Sequence, residues 1–314
     1  MRFAIIAPPV PTQKWKEGFD KIAPHIPILI GAETDTPEDV ECALLWRQPE
    51  NSLKKFKNLK LIFSMGAGVD HIFSDESIPK QIPICRVVDP MMAFSMTNYI
   101  LMAVLNHQRS FYDFQIAQQN KHWSQFEISE KDLKIGVLGT GHLGMDAATK
   151  LDHLGFSVFG YSNSPKETPF PSFSGEELDV FLTKINVLIC TVPFTSKTNG
   201  LLSKNLFDKL KHPTYLINVS RGAVQVEKDI LEALDANILS GAFLDVFEQE
   251  PYSGPLMLIE RCILTSHMGS MSKDCRTRME IEATEEVVRF FAGCALENLV
   301  PNEEYELRRA EFSL

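Results

Sequence analysis

From residue 134 onward the chain repeats one pattern. Apolar runs at 134–138, 157–161, 187–191, 215–219, 241–245 and 262–265 alternate with helical stretches at 142–154, 175–184, 205–211 and 227–236. Six strands separated by helices predict an α/β domain built on a doubly wound parallel sheet. The first of these strands runs into Gly139-Thr140-Gly141-His142-Leu143-Gly144, and a helix with Leu143, Ala147, Leu151 and Leu154 on its apolar positions follows. A Gly-x-Gly-x-x-Gly placed between a strand and a helix is the dinucleotide fingerprint. Its first glycine makes the tight turn. The second lets the backbone approach the pyrophosphate, and the third lets helix and strand pack closely. The helix start supplies unpaired N–H groups and the positive end of the dipole.

The next strand selects between dinucleotides. It ends Gly160-Tyr161-Ser162-Asn163-Ser164-Pro165-Lys166, with no acid before Glu167. NAD sites carry Asp or Glu about 20 residues past the glycines to bind the ribose 2′-hydroxyl. Here Ser162, Asn163 and Ser164 can donate hydrogen bonds to a 2′-phosphate, and Lys166 adds charge. The expectation is NADP(H) as preferred cofactor, with NAD(H) as the alternative.

The first hundred residues differ in texture. Strands are expected at 3–7, 42–46, 61–65 and 83–87, again alternating with helical or turn segments, so this is a second α/β domain. Lys54, Lys55, Lys57 and Lys60 read as a solvated helix face. One long helix is expected over 93–118, with Tyr99, Met102, Ala103, Leu105 and Phe111 on its apolar positions. An amphipathic helix over 273–292 precedes a polar end that could return to the first domain.

The 314 residues allow about two domains at roughly 150 residues each. With 44% hydrophobic and 23% charged residues, the composition excludes a disordered or fibrous chain. A net charge of −10 argues against nucleic acid as a partner. No stretch reaches the ~18 apolar residues of a membrane helix, and the apolar start, broken by Pro8 and Pro9, reads as a strand rather than a signal peptide. Cys42, Cys85, Cys190, Cys262, Cys275 and Cys294 show no Cys-x-x-Cys spacing, so buried free thiols in a reducing cytoplasm are expected. The histidines show no metal-binding spacing, and no metal is expected.

Three chemically able residues follow predicted strand ends: Arg221 after Asn218-Val219-Ser220, Glu250 after Leu244-Asp245-Val246-Phe247, and His267 after Leu264-Thr265-Ser266. Carboxyl ends of strands are where open α/β sheets bind ligands.

With these stretches, and with Leu45-Trp46-Arg47-Gln48-Pro49 and Ser64-Met65-Gly66-Ala67-Gly68-Val69-Asp70-His71, the chain resembles the D-isomer-specific 2-hydroxyacid dehydrogenases. It is closest to their glyoxylate/hydroxypyruvate reductase A branch. The resemblance implies two Rossmann-like domains. The smaller, flavodoxin-like substrate domain would be discontinuous, over 1–98 and 290–314, with the dinucleotide-binding domain over 99–289. It implies Arg221 as the group that binds the substrate carboxylate and polarises the keto oxygen, since a guanidinium offers paired donors to planar oxygens. It implies His267 as general acid/base and Glu250 as its orienting partner. The Ala67 and Gly68 amides would hold the carboxylate, Trp46 would border the substrate, and Asp245, Thr191, Val192 and Pro193 would line the nicotinamide side. The implied reaction is reduction of glyoxylate and hydroxypyruvate in a cleft between the domains. A dehydrogenase for a larger 2-hydroxy acid, or a dinucleotide-sensing binding protein, are the alternatives. A homodimer is implied, with Trp123 at its interface. Two departures stand out. Ser266 occupies a position where the family has Pro, and Met91 and Met92 make segment 89–95 unusually apolar, facing either the substrate or the core.

Overall fold

The computed structural model describes residues 2–8, 10–79, 81–126 and 132–300. The chain divides into two compact units, Met1–Pro90 with Ser272–Leu314, and Met91–Met271. In chain order the elements of the first part are β1 (Arg2–Ile6), α1 (Thr12–Ile22), β2 (Ile28–Ile30), β3 (Val40–Leu45), β4 (Leu61–Ser64), α2 (Asp70–Phe73) and β5 (Ile84–Arg86). The second unit has α3 (Pro90–Gln108, of which Pro90 counts with the first unit), α4 (Phe111–Gln119), β6 (Lys134–Leu138), α5 (His142–His153), β7 (Ser157–Ser162) and β8 (Ser172–Ser174). It continues through α6 (Leu178–Leu182), β9 (Val187–Cys190), α7 (Lys204–Phe207), β10 (Thr214–Asn218), α8 (Glu227–Asp235), β11 (Leu239–Leu244) and β12 (Cys262–Leu264). Helix α9 (Lys273–Phe291) belongs to the first unit.

The first unit is a parallel sheet in the order β2-β1-β3-β4-β5. Because side chains alternate along a strand, each strand feeds two cores. Phe3, Ile5, Cys42, Leu44, Leu61 and Phe63 point to a core closed by Trp15 and Phe19 of α1 and by Cys275, Met279, Ala283 and Val287 of α9. Ala4, Ile6, Ala43, Leu45 and Ile62 point the other way, toward Leu53, Phe56, Ile72, Phe73 and Ile78. After α9 the chain returns to the sheet: Arg86 N donates to Asn298 O at 3.0 Å and Val300 N to Ile84 O at 2.8 Å, antiparallel to β5.

The second unit is a parallel sheet ordered β12-β11-β10-β9-β6-β7-β8. Connections run outward from β6 in one direction through β7 and β8, and from β9 in the other through β10 to β12. The carboxyl ends of β6 and β9 therefore form a topological switch point, where such sheets bind ligands. Leu138, Leu188, Cys190 and Leu216 pack toward α6, α7 and α8. Ile135, Val137, Ile189, Ile217 and Phe243 pack toward α3 and α5.

Several expectations from sequence are corrected. The expected helix over 93–118 is two helices, because Ser110 adopts a left-handed conformation (φ 49°) between α3 and α4. The apolar face assigned to it is also wrong in part. Met102, Leu105 and Phe111 are exposed, whereas Met96, Ile100, Ala103 and Val104 are buried. Helix α3 is apolar nearly all round, so periodicity cannot orient it. Leu154, assigned to the buried face of α5, caps its end and is 60% exposed. Lys54, Lys55 and Lys57 lie on turns and Lys60 directly before β4 rather than on a helix, with Lys55 paired to Glu33 at 2.9 Å and Lys60 to Glu41 at 2.6 Å. Met92 is buried and Met91 exposed. Cys294 is exposed, while the other five cysteines are buried and unpaired. Among the described residues no helix is long and apolar enough to cross a membrane.

Candidate active site

The glycine loop after β6 is built as its sequence requires. Gly139 has φ 105°, a region closed to side chains, and a Cβ there would meet Val192 N at 2.8 Å. A Cβ on Gly144 would lie 2.0 Å from Gly139 O. The loop is pinned from two neighbouring strands. Gly139 N and Thr140 N both donate to Tyr161 O, at 2.9 and 3.2 Å, and the Thr191 hydroxyl donates to Gly139 O at 2.6 Å.

This cradle fits a dinucleotide on three counts. A Cβ on Gly141 would meet nothing within 4 Å, so the loop faces open space where the pyrophosphate must approach. Helix α5 has neither a side-chain cap nor an acid in its first turn, so its first amides are available to an anion. The Thr140 hydroxyl is buried without a hydrogen-bond partner. His142 and Leu143 form the first turn of α5. At the end of β7, Lys166 Nζ donates to Thr140 O at 2.7 Å, which holds its charge beside the glycine loop. Asn163 and Ser164 are exposed. Ser162 is buried, and its hydroxyl donates to Ser164 O at 2.7 Å. Thr191, Val192 and Pro193 follow β9 across the switch point.

The reactive side chains stand past the carboxyl ends of three neighbouring strands, β10, β11 and β12. His267 Nδ1 lies 3.0 and 3.2 Å from the two Glu250 carboxylate oxygens. Phe247 N donates to Glu250 Oε1 at 3.1 Å and fixes that carboxylate. His267 itself has φ 56°, which costs a non-glycine residue about 1–2 kcal/mol. Arg221 opens the turn after β10, with Nη1 donating to Ser220 O at 2.8 Å. A buried relay supports that turn. Ser220 N and Oγ donate to Asn218 Oδ1, Asn218 Nδ2 to Gln225 Oε1, and Gln225 Nε2 to Val246 O. Gly222 is obligatory here, since a Cβ would fall 1.7 Å from Phe247 O.

In the other unit, the turn after β4 is shaped by Ser64, whose hydroxyl donates to Gly68 O at 2.6 Å. The Ala67 and Gly68 amides donate to no protein acceptor among the described residues. Trp46 lies over Gly66, whose Cβ would meet the indole at 2.8 Å, and contacts the His71 ring edge-on at 5.0 Å.

A family profile described as "D-isomer specific 2-hydroxyacid dehydrogenase, NAD binding domain" matches residues 101–269. The chain belongs to the D-isomer specific 2-hydroxyacid dehydrogenases. It is thus an NAD(P)-dependent oxidoreductase of 2-hydroxy and 2-oxo acids, with the family's two parallel-sheet α/β domains. Among members of the family it is 36% identical to the glyoxylate/hydroxypyruvate reductase A of Serratia proteamaculans and 34% identical to that of Yersinia enterocolitica. Each match covers 83% of this chain and 86% of the relative. The crystal structure of an NADPH-dependent glyoxylate/hydroxypyruvate reductase from Sinorhizobium meliloti, in complex with NADP and sulfate, is 29% identical with a TM-score of 0.84. That match covers 97% of this chain and 99% of the other.

Within this dehydrogenase the structure gives Asp245 a task that its expected place beside the nicotinamide does not describe. Its side chain is buried, and every donor it takes is internal: Thr265 Oγ1 at 2.7 Å, Tyr99 Oη at 3.0 Å, Met268 N and Gly269 N at 2.8 Å each. Tyr99 and Thr265 were not singled out for this site by sequence. Tyr99 lies 146 residues from Asp245 in the chain, so no local spacing could have joined them.

Proposed function

We propose that this dehydrogenase reduces small 2-oxo acids, glyoxylate and hydroxypyruvate, to the corresponding 2-hydroxy acids, with His267 as general acid. The observation that carries the reading is the His267–Glu250 pair. Nδ1 faces the carboxylate, so Nε2 is the atom left to deliver a proton to the substrate oxygen. Glu250 orients the ring through Nδ1. Arg221 takes the substrate carboxylate and stabilises charge that develops on the keto oxygen. Trp46, Ala67 and Gly68 are further proposed substrate contacts. On this reading the unit containing the five-stranded sheet serves the substrate and the unit containing the seven-stranded sheet the dinucleotide.

NADP(H) is the preferred cofactor, with NAD(H) second. Gly139, Thr140, Gly141, His142, Leu143 and Gly144 would hold its pyrophosphate, and Ser162, Asn163, Ser164 and Lys166 its 2′-phosphate. Thr191, Val192 and Pro193 would border the nicotinamide, which supplies the hydride when bound. The Sinorhizobium meliloti relative with its NADP supports this assignment.

A homodimer is the proposed assembly. Trp123 is 95% exposed and is accompanied by exposed Phe111, Phe114 and Phe126, a cluster that a second copy would cover. The five buried, unpaired cysteines support a reducing, cytoplasmic setting.

The test is oxidation of NADPH and of NADH with glyoxylate, hydroxypyruvate, pyruvate and a branched 2-oxo acid. Fast turnover of the first two with NADPH is expected. Turnover confined to the branched acid or to NADH overturns the specificity. Absence of turnover alongside cofactor binding overturns the reductase reading.

A further inference from the structure

The turn carrying His267 hangs on one buried carboxylate. His267 N donates to the Asp245 carbonyl at 2.8 Å, and the next two amides, Met268 N and Gly269 N, donate to its side-chain oxygens. Three consecutive amides of the turn are thus fixed by a single residue. Fixing is needed, because a histidine at φ 56° keeps that conformation only where its surroundings over-determine it.

The carboxylate is itself aimed by two hydroxyls. Thr265 donates to Asp245 Oδ1 at 2.7 Å, and the Tyr99 phenol lies 3.0 Å from the same oxygen and within hydrogen-bonding reach of Thr265 Oγ1. Thr265 has a competing acceptor, Leu244 O, at 3.5 Å. A hydroxyl has one proton, so Thr265 can serve Asp245 or Leu244 at any moment, not both. A phenol that donates its one proton to Thr265 Oγ1 occupies that oxygen as an acceptor and leaves the Thr265 proton for the carboxylate, and when it donates to Asp245 Oδ1 instead it braces the carboxylate directly. Burial pushes the Tyr99 phenol well above its ordinary range, so it remains a donor. Its ring is held edge-on against Phe243 at 5.4 Å, two residues before Asp245 on β11. Tyr99 Cδ1 also lies 3.2 Å from where a Cβ on Gly269 would stand, so the ring walls the turn that the hydroxyl anchors.

We propose that Tyr99, acting through Thr265 and Asp245, is a positioning residue for proton transfer at His267. The proposal rests on the reading of His267 as general acid. Tyr99 touches neither reacting atoms nor Glu250 in this arrangement. Its effect reaches the imidazole only through the backbone of the turn.

Tyr99→Phe isolates the hydroxyl, since the ring contacts remain. With glyoxylate and NADPH, kcat should fall about tenfold, a coupling of the size found inside one hydrogen-bond network. The NADPH dissociation constant, read by fluorescence, should stay within about twofold, and the solvent isotope effect on kcat should rise as proton delivery becomes slower. In cofactor-free protein the Met268 and Gly269 amides should exchange with deuterium faster. Thr265→Val should reproduce these changes, and Thr265→Ser, which keeps the hydroxyl, should largely restore wild-type behaviour. In a His267→Asn background Tyr99→Phe should change kcat less than about twofold, because the group it positions is gone. An equal fall in both backgrounds, or wild-type exchange at Met268 and Gly269 in Tyr99→Phe, overturns the proposal. Full turnover in His267→Asn alone overturns the general-acid reading instead, and the exchange rates then still decide whether Tyr99 anchors the turn.

Discussion

Two glycine turns in this protein do related work by different means. Each follows a central parallel strand, β4 in one sheet and β6 in the other, and each exposes backbone amides. The turn after β6 runs into α5, twelve residues long, whose aligned peptides concentrate positive potential at its start. It needs glycine for hard steric reasons, with a Cβ on Gly144 landing 2.0 Å from a carbonyl oxygen. The turn after β4 leads, past Val69, into α2, only four residues long. Its shape comes from side chains: the Ser64 hydroxyl bridges it, and Gly66 yields to the Trp46 indole rather than to backbone. The first turn suits a dinucleotide pyrophosphate. On the proposed function the second would hold one small carboxylate, with the Trp46 indole lying against it at Gly66.

The difference can be tested at four places, in order of expected effect. His267→Ala leaves both turns intact, so NADPH affinity should hold while kcat falls about 10³-fold. A parallel loss of cofactor affinity would mean that the turns and the proton donor are not separable. Gly144→Ala forces a methyl group onto backbone and should cost about 3 kcal/mol in thermal unfolding, with NADPH binding lost. Gly66→Ala meets a side chain that can move. It should raise KM for glyoxylate about tenfold, equivalent to about 1.4 kcal/mol, with Tm and NADPH affinity nearly unchanged. Equal destabilisation by the two alanines would erase the distinction drawn between the turns. The smallest change is Lys166→Ala, expected to weaken NADPH about fivefold and NADH hardly at all, because only a 2′-phosphate engages the ammonium. Matching losses with both cofactors would reduce Lys166 to a brace for the loop through Thr140 O.

Much of this architecture could be read from the residues alone, for physical reasons. Buried parallel strands such as Ile135–Leu138 and Val187–Cys190 are continuous apolar runs, and the residues 139–144 admit few other conformations. What stayed hidden follows from weak or misleading local signals. Helix α1 lies between prolines, with only Trp15 and Phe19 to mark its buried face. The edge strand β8 is the half-buried Ser172-Phe173-Ser174, with no apolar run to announce it. The break at Ser110 involves neither Gly nor Pro. The placement of Arg221, Glu250 and His267 was legible because each follows a strand end. The support beneath His267 was not, because Tyr99 and Thr265 meet only once the sheet has formed.

The path of the chain through the first unit bears on how the protein is made. The core beneath one face of the five-stranded sheet joins Phe3, Ile5 and Phe63 to Cys275, Met279 and Val287 of α9. The other unit lies within one continuous stretch, Met91–Met271. On a ribosome, the β1–β5 segment must therefore wait, its apolar face uncovered, while the later unit is synthesised and able to fold. Only when α9 and residues 298–300 emerge can that face be covered and the edge at β5 be paired. Residues 2–86 are made before the second unit yet are among the last to reach their native setting, and the interval between is when a chaperone would find them.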